Sequence, residues 1–421
     1  MNLLNNLINF IDSSPTSFHC VSNISEELLK QGFIELKETE AFNIQKNNNY
    51  FVKRNDSSLI AFRVGEVKEK YKINIVASHS DSPCFKVKPK CDVIQGKYNK
   101  VLVEPYGGFI YSSWLDRPLS FAGRVLVKKD NDIEIKFVNV KKACAIIPNV
   151  CIHFNRNINE GYKYNPATDM IPFVSQEIEG EVFYSLISKE LNCRVEDILS
   201  FDIYLYNAEK GVIWGNENEF ISSPRLDDLE CVYTSFRSFI DSTNKNDINV
   251  FVVFDNEEVG SSTYQGADSD FLSNTLKRIN NSLGFNEETY YRALSSSLMI
   301  SADNAHAVHP NHIELTDSEN KAFLNKGVVI KYNASQSYTT DSVSSALFKN
   351  LCINTKVPYQ EFTNRADIRG GSTLGNIAIR HSSIKSIDIG LAQLAMHSSF
   401  ETAGAKDVNY LYTVLKEYYS K

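Results

Sequence analysis

Two adjacent glutamates, Glu257 and Glu258, follow the apolar run 248–254 and precede Gly260. The run is mostly β-branched or aromatic, which predicts a buried strand. The acids then lie at the carboxyl end of that strand, where open α/β sheets place their ligand crevice. One such glutamate can bind a cation while its neighbour transfers a proton. Two solvated loop glutamates are the ordinary alternative, and the pair by itself does not decide between them.

Histidines and acids follow other predicted strands in the same way. The strand 72–77 leads to His79 and Asp81, and the strand 298–300 leads to Asp303. A histidine offers a neutral nitrogen and Asp81 a carboxylate on the same side of an extended chain, which suits a metal site. Asp81 could instead orient the histidine. Asp227 and Asp228 precede an apolar helix, so one could be a helix cap and the other could lie between two cations.

Other candidate side chains are more ambiguous. His153 interrupts the apolar run 147–154, where a hydrogen-bonded core histidine is the commonest case. The group His306, His309 and His312 has metal-like spacing, but Pro310 disfavours a common helical face. Lys331, near the end of the predicted strand 328–332, could meet a substrate carboxylate, although a solvated lysine is the usual case.

The strand-end and loop positions together form a plausible ligand set: His79, Asp227, Glu257, Glu258, Asp303 and His397. Two histidines and three of the four carboxylates could hold two zinc ions about 3.5–4 Å apart, with one aspartate bridging them. The fourth carboxylate is then left to act as a general base. The coincidence of these groups after several apolar runs favours a metal site more strongly than any one motif does.

Composition is that of an ordinary globular protein, with 421 residues, 43 % hydrophobic and 23 % charged, and a net charge of −7. This charge argues against nucleic acid or an anionic membrane as partner. The beginning of the chain lacks signal-peptide features, and no stretch of about 18 apolar residues predicts a membrane helix. The eight cysteines form no Cys-x-x-Cys pair, so we expect reduced thiols in a cytoplasmic protein and no sulfur-based zinc site.

The distribution of predicted helices and strands along the chain predicts two domains. Helices are expected over 2–32, with a break at 13–17, and short alternating β segments dominate from 91 to 223. Within that stretch a helix is predicted at 176–191 and a strand at 202–206. The interpretation is a mostly β domain, 91–223, inserted into a discontinuous domain, 1–90 and 224–421. Helices at 269–279, 344–352 and 408–419 and strands near 359–362 and 384–391 complete the larger domain.

With this set of residues the chain resembles the aspartyl aminopeptidase family of dinuclear zinc exopeptidases. The matching segments lie in family order along nearly the whole chain: 77–89 (ASHSDSPCFKVKP), 114–125 (WLDRPLSFAGRV), 147–154, 223–229 (SPRLDDL), 255–261, 301–310 (SADNAHAVHP), 327–338, 370–375 and 396–404 (MHSSFETAG). The resemblance implies a phosphorylase/hydrolase-like α/β catalytic domain, with a central mixed sheet flanked by helices. It further implies that the inserted β-rich domain serves dimerisation and that the dimers assemble into a tetrahedral dodecamer.

The resemblance also assigns roles residue by residue. His79 and Asp303 would be the terminal ligands of one metal, Glu258 and His397 those of the other, and Asp227 the bridge. Family members often have histidine at position 256 and asparagine at 228, where this chain has Asn256 and Asp228, so either aspartate could bridge. The remaining implied roles are general base (Glu257), orienting acid (Asp81), oxyanion stabilisation, in a partner subunit's site (His153), and substrate binding (Lys331).

The implied activity is removal of the N-terminal residue from peptides, with a preference for Asp or Glu. Zinc is the expected metal, two ions per subunit, and cobalt or manganese would also suit nitrogen and oxygen ligands. Peptides and other copies of the chain are the expected partners, with no nucleic acid and no membrane. The alternatives are another dinuclear amidohydrolase, such as a deacylase or carboxypeptidase, and a catalytically silent assembly protein, which a complete ligand set disfavours.

Overall fold

The computed structural model describes residues 3–243, 245–368 and 370–421, and it divides into two compact units of mixed α/β structure. The first unit contains Met1–Asp81, Gly211–Met396 and Glu401–Lys421. The second contains Ser82–Lys210 and the short segment His397–Phe400. The sequence prediction drew its domain boundaries after residues 90 and 223.

Helices pack mainly in the first unit, where apolar residues recur at helical spacing. Their bounds are α1 (Leu3–Ser13), α2 (Ser17–Lys30), α3 (Val182–Leu191), α4 (Leu226–Ile240), α5 (Phe271–Ser282), α6 (Glu287–Ser296), α7 (Ser342–Thr355), α8 (Leu374–Ala378) and α9 (Asp407–Ser420). Every helix within the described ranges is too short or too polar to cross a membrane.

Strands supply the scaffold of both units. Their bounds are β1 (Ile34–Leu36), β2 (Asn49–Arg54), β3 (Ser58–Val64), β4 (Ile73–His79), β5 (Cys84–Gln95), β6 (Tyr98–Tyr106), β7 (Leu119–Lys129), β8 (Asp132–Asn139), β9 (Phe173–Gln176), β10 (Ile198–Asn207), β11 (Val212–Trp214), β12 (Phe220–Ser223), β13 (Ile248–Phe254), β14 (Leu298–Ala302), β15 (Ala305–His306), β16 (Val328–Tyr332), β17 (Tyr359–Thr363), β18 (Lys385–Gly390), β19 (Ala392–Leu394) and β20 (Glu401–Gly404).

The first unit is built on a mixed sheet with the strand order β1-β2-β3-β13-β4-β14-β18-β16-β17. A smaller sheet, β11-β12-β20-β19-β15, belongs to the same unit. The central strand β13 is buried along its whole length, because helices cover both faces of the large sheet. Phe251 and Val253 point into one apolar cluster, whereas Val250, Val252 and Phe254 point into the other.

The second unit contains an antiparallel sheet with the order β8-β7-β10-β5-β6-β9. Its core packs residues such as Phe85, Phe121 and Ile203 from the sheet against Phe183 and Ile187 of α3. Buried and half-buried residues alternate over 123–127 of β7 and 203–205 of β10, as expected of a sheet with one more exposed face.

Most predicted elements of the first unit lie within one or two residues of the observed ones. The predicted helix 176–191 is wrong in its first part, because Phe173–Gln176 pairs with β6 as a strand and the helix begins only at Val182. Helix α6 was not predicted. Its apolar residues are few, so tertiary packing of Tyr290, Ala293 and Leu294 decides it.

Candidate metal centre

Three strands of the first unit end at one edge of the large sheet. β13 runs parallel to β4 with Phe254 opposite His79, and β14 runs parallel to β4 with Ser301 opposite Ala77. The carboxyl ends of parallel strands meet at the same edge, so the residues that follow them are brought together there. His79, the glutamate pair after β13 and Asp303 after β14 therefore share this edge.

The two aspartates reach the same place from the start of α4. Asp227 and Asp228 have non-helical backbone angles, the peptide bond between them is cis, and both side chains are buried. Asp227 is held by its backbone N–H, which donates to Oε2 of Glu401 at 3.0 Å. Asp228 accepts the backbone N–H of His79 through Oδ2 at 3.3 Å.

The resulting cluster has the composition of a metal site. His79, Asp227, Asp228 and Asp303 are all buried, and each offers a ligand atom within 4.8 Å of the others. His79 makes a second group of the same kind with Glu257 and Glu258. The structure thus brings together residues that are far apart in the sequence, and it places both candidate bridging aspartates in the cluster.

Asp81 lies against the histidine of this cluster. The Nδ1 atom of His79 lies 3.1 Å from the carbonyl oxygen of Asp81 and 3.4 Å from its carboxylate. Because a carbonyl oxygen only accepts hydrogen bonds, Nδ1 carries a proton, which leaves Nε2 as the nitrogen that can bind a metal ion. Nε2 lies 3.5 Å from Oδ1 of Asp227, the geometry expected of a ligand pair around one ion.

The same aspartate also holds the glutamate pair. The backbone N–H groups of Glu257 and Glu258 donate to the two carboxylate oxygens of Asp81 at 3.1 and 3.2 Å. Asn256 precedes the pair with φ +61°, a left-handed conformation that asparagine tolerates. Its side-chain oxygen accepts hydrogen bonds from Thr263 and Gln265, so it shapes the loop and belongs to neither ligand group of the first unit.

Electrostatics of the cluster favour a bound cation. Burial raises the pKa of Glu257 to about 8, with His79 opposing the rise and Asp303 adding to it. Burial, followed by Asp227, raises the pKa of Glu258 well above its ordinary range. The pKa of His79 is also raised, because Asp227 and Asp81 outweigh the lowering effect of burial. Buried acids that repel one another in this way are stabilised by a cation between them.

The donor atoms also fit zinc. Oδ1 of Asp228 is buried and has no hydrogen-bond partner among the described residues, which is unusual for a carboxylate unless another group satisfies it. Imidazole nitrogen and carboxylate oxygen are normal ligands of zinc, and cobalt and manganese accept the same set. Sulfur takes no part in either ligand group of the first unit.

Lys331 differs from the expected solvated lysine. It is only 2 % exposed, and its ammonium donates to the backbone oxygens of Asp303 at 2.7 Å and Asn304 at 3.1 Å. The carboxylate of Asp303 lies 3.4 Å away. Burial alone would lower the pKa of Lys331, but Asp303 raises it, so the side chain remains a fixed positive charge beside the cluster.

Two predicted site residues belong to the second unit. His397 has φ +64°, and its Nδ1 donates to the carbonyl oxygen of Gly108 at 2.6 Å, so the neutral ring has Nε2 as its acceptor nitrogen. His153 is exposed in a loop next to Phe154, which is 88 % exposed. The core interpretation of His153 is therefore wrong.

The histidines 306, 309 and 312 form no metal-like group among the described residues. The rings of His309 and His312 are near neighbours, 5.0 Å apart, but Nδ1 of His312 pairs with Glu314 and Nδ1 of His309 accepts the backbone N–H of Asn311. Polar residues that support the cluster were missed in the sequence, above all Asn304, Gln393 and Glu401. Asn304 and Glu401 lie in segments already noted for their ligands, but no spacing rule connects them.

Comparison with known proteins places the chain in a family. The family model described as "Aminopeptidase I zinc metalloprotease (M18)" matches residues 10–419.

The chain belongs to the M18 family of zinc aminopeptidases.

Full-length relatives support the M18 assignment. The chain is 49 % identical over 425 residues to "Probable M18 family aminopeptidase 2" of Clostridium novyi, covering 99 % of this chain and 98 % of the relative. The protein of the same name from Clostridium acetobutylicum is 46 % identical over 424 residues, with 98 % of each chain covered. The M18 membership confirms the family resemblance and the prediction of a zinc-dependent aminopeptidase, a hydrolase.

Solved structures agree with the M18 fold. A cryo-EM structure of the Ape4 and Nbr1 complex contains a chain with a TM-score of 0.96 and 34 % identity, covering 99 % of this chain and 85 % of that one. The structure of an S. cerevisiae mApe1 dodecamer gives a TM-score of 0.87 and 26 % identity, covering 99 % of this chain and 95 % of that one. Both likenesses cover 99 % of this chain and therefore include both units.

Proposed function

We propose that this M18 aminopeptidase holds two zinc ions and favours peptides with an acidic N-terminal residue. The observation that carries the proposal is the buried cluster in which His79, Asp227, Asp228 and Asp303 offer ligand atoms within 4.8 Å of one another, beside Glu257 and Glu258. One ion needs about four ligands, so a cluster this rich in carboxylates has enough donors for two.

The proposed ligands follow the family resemblance. His79 and Asp303 would bind one ion, and Glu258 with His397 would bind the other. Asp227 is the better bridge, because Oδ1 of Asp227 lies beside Nε2 of His79 while Asp228 accepts the backbone N–H of that histidine. When bound, the two ions would polarise the scissile carbonyl and lower the pKa of an attacking water.

The chain's own residues would then move the proton. Glu257 takes a proton from the attacking water and delivers it to the leaving amine, as a general base and then a general acid. Burial raises the pKa of Glu257 to about 8 in the metal-free chain, and the positive charge of bound zinc would lower it, which favours the carboxylate form that accepts the proton. His153, supplied by a partner subunit, stabilises the oxyanion. The exposed position of the His153 side chain leaves it accessible to another chain.

The acidic preference depends on Lys331. Its ammonium is buried and paired with the carboxylate of Asp303 at 3.4 Å, so in the proposal it attracts a substrate carboxylate by adding positive potential around the cluster and not by direct contact. The preference is further supported by the resemblance to aspartyl aminopeptidases.

We further propose a dodecamer built from dimers, which is supported by the mApe1 dodecamer among the similar structures. The β-rich second unit would be the dimerisation domain of a phosphorylase/hydrolase-like enzyme. A cytoplasmic location is supported by the eight free cysteines.

Metal analysis with a substrate panel tests the proposal. Atomic emission of the purified chain should give two zinc ions per subunit, and removing them with a chelator should abolish peptidase activity until zinc, cobalt or manganese is added. Turnover of Asp- and Glu-anilides should exceed that of Leu- and Ala-anilides. One ion per subunit at full activity would contradict the dinuclear site, and a strong Leu preference would contradict the acidic specificity.

A further inference from the structure

A chain of buried hydrogen bonds runs beneath the cluster and ends on Asp227. Glu230, Asn304, Gln393 and Glu401 form this chain, which we call the Glu401 chain, and none of their side chains is more than 3 % exposed. Nδ2 of Asn304 donates to Oε2 of Glu230 at 3.1 Å and to Oε1 of Gln393 at 2.7 Å. Nε2 of Gln393 donates to Oε1 of Glu401 at 3.3 Å. Oε2 of Glu401 accepts the backbone N–H of Asp227 at 3.0 Å.

The direction of these hydrogen bonds is set by the backbone. Oδ1 of Asn304 accepts the N–H of Leu391 at 3.3 Å. Nδ2 also lies 3.2 Å from the carbonyl oxygen of Leu226, so its two hydrogens are shared among three acceptors. A backbone N–H can only donate and a carbonyl oxygen can only accept, so the amide of Asn304 has one orientation. Gln393 must then turn its oxygen toward Asn304 and its nitrogen toward position 401, which requires an acceptor there.

The Glu401 chain connects segments of the protein that carry proposed metal ligands. Asn304 directly follows Asp303, and Glu401 follows His397 in the same short stretch of sequence. At the Glu401 end of this hydrogen-bond chain, the carboxylate holds Asp227, the proposed bridge, by its backbone N–H. Hydrogen-bonded groups behind a metal ligand fix its orientation, and their loss typically costs about 10–100-fold in metal affinity or activity.

We propose that Glu401 is a positioning residue for the metal centre, acting on Asp227 through its backbone N–H. The role requires an acceptor facing both Asp227 and Gln393, and a carboxylate is the side chain of this size that offers two acceptor oxygens. This inference rests on the proposed function, since it assumes that Asp227 binds metal.

Exchanging Glu401 and Gln393 tests the direction of the hydrogen bonds in the Glu401 chain. In Glu401→Gln the new amide nitrogen faces the amide nitrogen of Gln393, so two donors oppose each other. In Gln393→Glu two carboxylates oppose each other. In the double variant E401Q/Q393E every hydrogen bond is restored: the Gln oxygen accepts from Asp227, its nitrogen donates to the new Glu, and that Glu accepts from Asn304. The carboxylate has moved one position further from the metal centre.

The probe is cobalt(II) alone, titrated into metal-free protein and followed by its visible absorption. We expect each single variant to bind cobalt about 10–100-fold more weakly than the wild type and to lose kcat/KM in parallel. The double variant should return to within a few-fold of wild type, with the wild-type spectrum. This reciprocal rescue ties the loss of cobalt affinity to the direction of the buried hydrogen bonds, and a control that lowers stability elsewhere separates positioning from a general loss of stability.

Asp407→Asn provides a matched control. Asp407 is also a fully buried acid that accepts backbone N–H groups, from Asn325 and Gly327 at 2.6 and 2.8 Å. The Asp407→Asn substitution should lower the unfolding temperature of the metal-free protein and leave the cobalt affinity and the cobalt spectrum unchanged.

Two results would overturn the inference: wild-type cobalt affinity in Glu401→Gln, or a double variant that binds cobalt no better than the single variants. Failure of the proposed function looks different, because it is seen in the wild type itself, as fewer than two metal ions per subunit or a preference for a Leu-anilide.

Discussion

Removing the charge of Asp81 should slow peptide hydrolysis without emptying the metal site. The carboxylate of Asp81 accepts the backbone N–H groups of both Glu257 and Glu258, at 3.1 and 3.2 Å. In Asp81→Asn only one of these N–H groups can keep an oxygen acceptor, and the other faces an amide nitrogen. A hydrogen bond to a charged group contributes about 1.5–3 kcal/mol, and the loss falls on the general base and its neighbour.

That energy converts to a decrease of about 10–150-fold in kcat/KM, since 1.4 kcal/mol corresponds to a factor of ten. The metal ligands are all retained, so zinc measured by atomic emission at saturating metal should stay at the wild-type level. The assay is hydrolysis of an Asp-anilide by metal-saturated enzyme, with Asp81→Glu as a second variant that keeps the charge but displaces it.

Asp202→Asn is a suitable control, because Asp202 is a hydrogen-bonded acid of the second unit. It should leave kcat/KM unchanged. Near-wild-type kcat/KM in a fully zinc-loaded Asp81→Asn enzyme would refute the reasoning, because the two N–H groups would then not need the carboxylate.

Three further outcomes are expected. Glu257→Gln should lower kcat by about 10²–10⁴-fold while zinc content stays at the wild-type level, because the proton acceptor is lost and no proposed ligand is removed; activity near wild type with confirmed metal would exclude Glu257 as base. His153→Ala should lower kcat by about 10²–10³-fold without changing the unfolding temperature, since the side chain is exposed; mixing this variant with Glu257→Gln during assembly should restore part of the activity if the histidine serves a partner's site, and no recovery would argue against that. Asp202→Asn should destabilise the fold by about 1–2 kcal/mol near neutral pH. Burial opposes ionisation of Asp202, but hydrogen bonds from Lys86 and Arg124 lower its pKa in the folded state. The stabilising effect of Asp202 is therefore complete above the unfolded-state pKa of about 3.9 and is lost as the pH falls through the folded-state value. Urea unfolding of the wild type and the variant at pH 7 and pH 3 checks this, and an equal difference in unfolding free energy at both pH values would contradict it.

Local sequence determined much of the secondary structure of the first unit. The run 248–254 has no polar interruption except Asn249, and it forms the buried strand β13. The periodic helices at both ends of the chain were predicted because one apolar face each packs on the sheet. The acids that follow strands were recognisable for a different reason: the carboxyl end of a parallel strand is where open α/β sheets bind ligands. Family membership was readable from segments spread over the whole length.

Tertiary structure alone decided which of these groups meet. The parallel registers of β4, β13 and β14 bring His79, Glu257 and Asp303 to one edge, and no local pattern contains those pairings. Burial of Lys331 depends on the carbonyl oxygens after β14, and exposure of His153 depends on a loop that no core covers. The supporting side chains of the Glu401 chain are polar residues that a sequence pattern assigns to the surface. Their role follows from long-range hydrogen bonds, which form only when the segments that carry them have already packed.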